Sequence, residues 1–216
     1  HCPLLPGHGH YPDKLHKVSR QAWLNEAQEA FATVQKQYDE LFLMGHSMGA
    51  VLGANLCLQN PAVRGLIMLT PIYEAPDDRL NWMKLLRFVM PWFYPHKMRS
   101  MRKLVRERVL DFDPTIKFDD PEFQQNRLAV VSRVPTASLV EMVKMADYGR
   151  TLWPKLTTPS IIFRGGHDPA VKPGTIDKLY ETLPGPHKKL VTFPEAGHEP
   201  MRPFDPAHQK LWPQAL

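Results

Sequence analysis

The segment Gly45-His46-Ser47-Met48-Gly49 carries the serine of this chain best suited to act as a nucleophile. It matches G-x-S-x-G, follows the apolar run 41–44 and precedes an Ala- and Leu-rich stretch, so the sequence predicts a strand, a tight turn and a helix. A Cβ at either glycine is expected to clash with neighbouring backbone. The turn would expose the Ser47 hydroxyl and direct the Met48 N–H at a developing oxyanion. The alternative is a serine that merely caps a helix.

A serine hydroxyl is a weak nucleophile, so it needs a base, and the base needs an orienting acid. After a turn of this kind the acid comes next along the chain and the histidine comes last. Asp168 follows the predicted strand 160–163, and His198 follows the predicted strand 189–193. Both loops lie at carboxyl ends of strands, where open α/β sheets place their sites. We therefore predict Ser47 as nucleophile, Asp168 as acid and His198 as base, with a turn aspartate and a solvated histidine as the alternatives.

Three other histidines compete for the role of base. His46 adjoins the nucleophile and is expected to point away from the site. His167 precedes the predicted acid, and His187 begins a strand instead of following one. These positions leave His198 as the preferred base.

The elements that must position these residues alternate along the chain. Helices are predicted over 19–37, 49–59, 175–183 and 205–216, and strands over 41–44, 65–69, 160–163 and 189–193. The apolar spacing defines the helices, and the strands read as continuous apolar runs, which is typical of strands buried on both faces. This alternation predicts an α/β fold with right-handed crossovers and a mostly parallel sheet.

The alternation stops between about residues 74 and 157. That stretch shows no convincing strand, and prolines divide it into several short predicted helices. We therefore predict a first part of a core over 1–73, an inserted helical cap over 74–157 and a second part of the core over 158–216.

The cap carries the candidate substrate-binding residues Phe88, Met90 and Trp92. They belong to an apolar helix and to the aromatic run that follows it, and flexible methionines and aromatic rings suit the wall of an acyl-binding site. The alternative is that this face only packs on the core.

A basic run overlaps the same part of the cap. Nine Lys and Arg residues and a single Glu lie between residues 79 and 108. Because the run adjoins an apolar helix, docking on an anionic membrane surface is one prediction, and an ordinary solvated face is the other. No nucleic-acid-binding motif accompanies the charge, so no nucleic-acid partner is predicted.

The composition is that of a globular protein, with 216 residues, 43% of them hydrophobic and 23% charged, and a net charge of +5. No apolar run reaches the roughly 18 residues that a membrane span needs. Cys2 and Cys57 cannot form a disulfide framework or a Cys-rich zinc site, so a reducing, cytoplasmic location is expected. The chain begins at His1 without an initiator Met and ends within a predicted helix, so both ends are expected to be cut.

Four motifs together resemble the α/β-hydrolase superfamily: Leu5-Pro6-Gly7-His8-Gly9, the serine turn, Gly166-His167-Asp168 and Ala196-Gly197-His198. They are most similar to its monoacylglycerol lipase and carboxylesterase branch, over about residues 3–73 and 134–205. The resemblance implies an α/β-hydrolase fold with a cap. It also implies hydrolysis of short-to-medium acyl esters, monoacylglycerols above all, through an acyl-enzyme and without a metal or cofactor.

The sequence departs from the family pattern in two places. The family carries a His-Gly loop after an early strand, which supplies the second oxyanion donor, and this chain has no such segment. The first strands of the sheet are expected to be missing with it, so either the protein is longer or the fragment lacks half of its oxyanion hole. The second departure is Glu199-Pro200 after His198, where small or apolar residues are commoner.

Several other functions stay open. A thioesterase, a lactonase or a carbon–carbon hydrolase would use the same triad. Epoxide hydrolases and haloalkane dehalogenases of this fold use a carboxylate nucleophile, so Ser47 argues against them. A non-catalytic ligand-binding member or an inert fragment is the alternative from another class.

Overall fold

The computed structural model describes residues 1–9, 12–74 and 89–215. The strands are β1 (Leu41–His46), β2 (Val63–Leu69), β3 (Trp92–Phe93), β4 (Val134–Pro135), β5 (Ser160–Gly165) and β6 (Lys188–Phe193). The α-helices are α1 (Arg20–Gln35), α2 (Met48–Gln59), α3 (Arg102–Phe112), α4 (Leu128–Ser132), α5 (Thr136–Leu152), α6 (Thr175–Thr182) and α7 (His208–Ala215). None of these described helices combines the length and the apolarity that crossing a bilayer requires.

A four-stranded sheet in the order β1-β2-β5-β6 forms the centre of the molecule, and every pairing in it is parallel. The predicted α/β fold with a mostly parallel sheet is therefore confirmed. Because parallel strands share a direction, their carboxyl ends meet at one edge of the sheet. Ser47, Thr70, Asp168 and His198 all follow strands at this edge.

Successive residues of the central strands face opposite sides of the sheet. Leu66 and Met68 belong to the main hydrophobic core, together with side chains of α1, α2, α5 and α6. Ile67 and Leu69 belong to a second cluster, which contains Leu211 of α7. The continuous apolar run of β2 is thus explained by burial on both faces, as predicted.

The same prediction is wrong for β1. Phe42 and Met44 are 69% and 42% exposed, and burial alternates along the strand. β1 is the edge strand of the described sheet, and no described element covers the face that carries these two side chains. The apolar composition of the run did not distinguish an edge strand from a central one.

The region between residues 89 and 133 has a small core of its own, formed by Val105, Val109, Phe118, Phe123 and Leu128. The sequence predicted no strand here, but β3 pairs with β4 in antiparallel orientation. A strand of two residues is too short to show a period, which is why the pattern missed it. Most of the predicted apolar helix, including Phe88, falls outside the described residues.

Helix α5 packs against α2, and Met145, Ala146 and Leu152 belong to the main core. The predicted cap interval 74–157 thus contains a helix that is built into the core. The division into 1–73, 74–157 and 158–216 stays a prediction.

Candidate active site

Ser47 lies in a strained turn between β1 and α2. Its φ and ψ are 52° and −114°, a region that costs a residue with a side chain about 1–3 kcal/mol. The end of β2 holds this conformation, because the Ser47 N–H donates to the Leu69 carbonyl at 2.9 Å. The Ile72 N–H donates to the Ser47 carbonyl at 3.3 Å. The backbone of Ser47 is therefore fixed from both sides.

The two glycines of the turn have different roles. A Cβ on Gly45 would overlap the Gly49 carbonyl, so the predicted clash is confirmed there. A Cβ on Gly49 would meet no atom of the described residues within 4 Å, so the predicted clash is wrong at that position. Gly49 lies in the first turn of α2, where the space beside its Cα is open.

Asp168 and His198 form a buried pair. His198 Nδ1 lies 2.8 Å from Asp168 Oδ2, and these side chains are 6% and 7% exposed. The other carboxylate oxygen, Oδ1, accepts from the Ala170 N–H at 2.8 Å. An ionised carboxylate only accepts, so His198 Nδ1 carries the proton and Nε2 is left with a free electron pair. That is the tautomer a general base requires.

The loops that carry this pair contact each other through their backbones. A Cβ on Gly165 would overlap the Gly197 carbonyl, so the close approach requires glycine. The His167 N–H donates to the Ala196 carbonyl at 2.9 Å. This contact brings the end of β5, with Asp168 after it, against the residues that precede His198.

His46 contacts His198, although its place beside the nucleophile predicted that it would point away from the site. Its Nε2 lies 2.8 Å from the His198 carbonyl, and the centres of the two rings are 4.8 Å apart. A carbonyl only accepts, so Nε2 donates this hydrogen bond. Burial, followed by the nearby His198, lowers the pKa of His46 to about 4. His46 is therefore neutral near pH 7, with its Nε2 engaged by the His198 carbonyl.

Thr70 is a second donor to the same carbonyl, and no motif in the sequence predicts it. Its Oγ1 donates to the His198 carbonyl at 2.7 Å, and the residue is buried with φ of 40°. Thr70 follows Leu69, which holds the Ser47 N–H, and His46 precedes Ser47. The only sequence signal was a polar residue at the end of a buried strand.

The structure thus brings Asp168 and His198 together directly and links both to the serine turn through neighbouring residues. Met48 begins α2, and the first N–H groups of a helix have no carbonyl partner within it. The role of its N–H as an oxyanion donor stays a prediction. His167 and His187 are exposed.

The described cap residues predicted to bind substrate lie in and beside β3. Met90 is 52% exposed. The Trp92 ring lies 4.0 Å from the Arg133 guanidinium, and Trp92 pairs with Pro135. Their role in substrate binding stays a prediction, as does that of Phe88.

The family model described as serine aminopeptidase S33 (Hydrolase_4) matches residues 5–206. The chain belongs to this family. The thermostable monoacylglycerol lipase of Bacillus sp. (strain H-257) is 19% identical to this hydrolase over 206 residues, which cover 94% of the chain and 72% of that protein. The monoglyceride lipase of Mus musculus is 25% identical over 171 residues, which cover 75% of the chain. The chain spans about half the length of the mouse protein, 53%.

Solved structures agree on the fold. The crystal structure of the Paleococcus ferrophilus monoacylglycerol lipase matches this hydrolase with a TM-score of 0.65 at 17% identity, over 95% of this chain and 76% of that one. The chain is therefore an α/β-hydrolase of the monoacylglycerol lipase and esterase branch, as its motifs suggested.

Proposed function

We propose that this hydrolase cleaves carboxylic esters through an acyl-enzyme, with Ser47 as nucleophile, His198 as base and Asp168 as acid. The observation that carries the proposal is the buried hydrogen bond of 2.8 Å between His198 Nδ1 and Asp168 Oδ2. It leaves His198 Nε2 able to accept a proton. The donors that hold the His198 carbonyl, His46 and Thr70, flank the backbone of the strained serine, which supports a common site.

In the proposed reaction, Ser47 Oγ attacks the ester carbonyl carbon while its proton passes to His198 Nε2. The Met48 N–H donates to the oxyanion of the tetrahedral intermediate. The intermediate collapses as His198 returns the proton to the departing alcohol, which leaves an acyl-Ser47. Water, activated by the same imidazole, then releases the acid. Asp168 holds the imidazole and stabilises its charged form throughout.

The proposed substrates are monoacylglycerols and similar short-to-medium acyl esters. The Bacillus and mouse relatives, a monoacylglycerol lipase and a monoglyceride lipase, support this class. The apolar cap residues Phe88, Met90 and Trp92 support it too, since acyl chains bind to flexible apolar walls. Met90→Ala is expected to lower kcat/KM for an octanoate ester by about ten-fold, because it would remove contact with about two methylenes of the acyl chain, each worth about 0.8 kcal/mol when buried. Acetate hydrolysis should stay nearly unchanged, and an unchanged octanoate-to-acetate ratio would contradict the acyl-wall role.

Covalent labelling tests the proposed mechanism. A fluorophosphonate should modify Ser47 with one-to-one stoichiometry, and mass spectrometry of the peptide that contains residues 41–59 locates the adduct. Ser47→Ala is the control and should not react. A folded parent chain that neither reacts nor hydrolyses p-nitrophenyl esters would refute the proposal and favour a ligand-binding member. Faster turnover of thioesters than of matched oxygen esters would instead indicate a thioesterase.

An anionic membrane surface is the proposed partner of the cap. Lys97, Arg99, Arg102 and Lys103 are exposed, and the exposed apolar residues Val89, Met90 and Phe112 lie in the same part of the chain. Cations with neighbouring apolar side chains suit a bilayer interface. Co-sedimentation with phosphatidylserine vesicles should exceed that with phosphatidylcholine vesicles and fall with added salt. Arg99→Glu combined with Arg102→Glu should abolish the difference, and equal sedimentation of the parent with both vesicles would contradict the proposal.

A further inference from the structure

Glu199 is a buried carboxylate to which the proposed triad gives no role. It follows His198 directly, and 8% of its surface is exposed. Burying an ionised carboxylate is costly unless the group is paired and hydrogen bonded. The residue is also the point at which the sequence departs from the branch that it resembles. Its contacts therefore need an explanation.

The partner of Glu199 is Arg108, on helix α3 of the cap. Arg108 Nε and Nη2 lie 3.1 and 2.7 Å from Glu199 Oε1. The other carboxylate oxygen, Oε2, is buried without a hydrogen-bond partner among the described residues. The pair therefore joins a cap helix to the residue next to the proposed base, and the carboxylate depends on this one arginine.

A second ion pair joins the same helix to the same loop. Arg202 Nη1 lies 3.0 Å from Asp111 Oδ2. Asp111 comes three residues after Arg108, a spacing that places both on one face of α3. The Arg202 N–H donates to the Glu199 carbonyl at 2.9 Å and closes the turn between them. Helix α3 therefore holds both ends of the turn that follows His198.

The core holds the other side of this loop. The His198 carbonyl accepts from His46 and Thr70, at 2.8 and 2.7 Å. The Gly197 N–H donates to Asp205 Oδ2 at 2.8 Å. The core thus binds the backbone of His198 itself, and the cap helix α3 binds the side chain of the next residue, Glu199.

We propose that Glu199 is a positioning residue which, through its pair with Arg108, lets cap helix α3 set the orientation of His198 relative to Ser47. The inference rests on the proposed function, because that function gives His198 its role as base. A displacement of α3 moves the turn 199–202 through two ion pairs, and the imidazole precedes this turn directly. The position of the cap is thereby coupled to the geometry of the base.

The charge of Arg108 also matters to the site. Burial raises the pKa of the Glu199 carboxyl, but the charge of Arg108 and its hydrogen bonds outweigh burial, so this pKa lies below its ordinary value. The charged and titratable groups around the carboxylate are Arg108 and Glu107 on α3, with Asp205 beyond Glu107, His46 at the end of β1, and His198. Without Arg108 an unpaired negative charge would remain beside two imidazoles and favour their protonation.

The test compares four variants of the whole chain. Arg108→Met leaves Glu199 unpaired, Glu199→Gln removes its charge at constant size, and the double variant removes both charges. Arg106→Met is the matched control, because Arg106 lies on the same helix but pairs with Asp119 of the cap. Circular dichroism and melting temperature establish that each variant is folded. Then kcat, KM and the pH profile are measured with p-nitrophenyl butyrate.

Arg108→Met is expected to lower kcat at neutral pH by about ten- to a hundred-fold, the scale of a small misplacement of a catalytic group, while KM changes less than about two-fold. The acid limb of its kcat/KM profile should move to higher pH. The double variant should lower kcat without that movement, since no lone charge remains. Glu199→Gln should also lower kcat without moving the acid limb to higher pH, because the only unpaired charge it leaves is the positive charge of Arg108. Arg106→Met should keep the parent's kcat and profile.

The proposal would be overturned if Arg108→Met kept the kcat and the pH profile of the parent. It would also be overturned if only KM changed, or if the loss of kcat equalled the fraction of the variant that is unfolded. Hydrogen exchange of the peptide covering residues 195–206 gives a readout that does not need activity. Faster exchange in Arg108→Met than in Arg106→Met supports the anchoring of the loop, and equal exchange refutes it. Failure of the proposed function is recognised separately, as a folded parent chain that does not react with the fluorophosphonate.

Discussion

The serine turn and the histidine loop meet at one edge of the sheet, but different kinds of interaction hold them. The turn 45–49 is shaped mainly by its own residues, since the Gly45 backbone packs against Gly49 and the strain lies in Ser47 itself, while backbone hydrogen bonds at the end of β2 hold it in place. The loop that carries His198 is held by side chains from distant parts of the chain, namely His46, Thr70, Asp168 and Arg108.

This difference separates what a motif can encode from what only the fold supplies. A strained local turn restricts the residues beside it, so it leaves a short recognisable pattern. A loop held by donors from distant parts of the chain depends on the fold to bring those donors close, so the residues beside the loop show no pattern that reveals them. The serine was therefore predicted from its own surroundings, whereas the histidine was predicted from its order along the chain.

The largest expected effect comes from removing the Ser47 hydroxyl while the conformation of the turn is kept. Ser47→Ala should lower kcat by about 10⁶, the scale for loss of a triad nucleophile, while the molecule stays folded. Ser47→Gly should be equally inactive but more stable by about 1 kcal/mol, because glycine relieves the positive φ. Ester hydrolysis and denaturant unfolding measure both effects. Turnover that survives in Ser47→Ala would exclude the serine mechanism.

The histidine loop is tested next through its carboxylate partner. Asp168→Asn should lower kcat by about 10⁴ with little change in KM, because an amide at this position favours the wrong imidazole tautomer. Steady-state kinetics with p-nitrophenyl butyrate measure the loss. If kcat stays within a few-fold of the parent, another carboxylate must serve His198, and Glu199 is the first to test.

The local character of the turn is tested by its two glycines. Gly45→Ala should cost about 3 kcal/mol or more, because the new Cβ would overlap a backbone oxygen that cannot move aside. Gly49→Ala should be neutral or stabilise the chain by up to about 1 kcal/mol, since alanine favours the helix and meets no described atom. Urea unfolding compares the pair. Equal losses would show that the turn is not determined by the Gly45 contact.

The smallest effect concerns His46, which bridges the two regions. Its pKa of about 4 in the folded state lies below the ordinary 6.5. As the pH falls, the unfolded chain therefore binds the proton at a higher pH than the folded chain does. The stability that neutral His46 contributes is complete above pH 6.5 and is lost as the pH falls towards 4. Between pH 7 and 4.5 the parent should lose about 2 kcal/mol more than His46→Gln, which keeps an N–H donor. Parallel pH curves for the two proteins would disprove the assignment.

The sequence predicted the elements of the core within a few residues, because apolar spacing reports burial. It placed β2 and β5 in the sheet and α2 directly after Ser47. It overestimated the burial of β1, since an apolar run does not reveal where its strand lies in the sheet. The two-residue pairing of β3 with β4 was too short to produce any pattern.

The residues of the candidate site were predicted only where a short motif, or the order of residues along the chain, identifies them. Asp168 was predicted from its place after a strand, and its hydrogen bond to His198 supports the role that we propose for it. The orientation of His46, the Thr70 donor and the Arg108–Glu199 pair were not predictable, because each depends on how segments up to 152 residues apart meet. Such contacts follow from packing, and a single sequence does not reveal which segments pack together.

Helix α5 limits how the predicted cap could be exchanged with the corresponding segments of other hydrolases. A chimera that exchanged the whole interval 74–157 would remove Met145, Ala146 and Leu152 from the main core and leave α2 facing foreign side chains. An exchange that ended at β4 would transfer α3 and α4 with their own small core and keep the native α5 in place. The permissive downstream junction for grafting a new substrate preference is therefore at Pro135, before the last helix of the predicted cap begins.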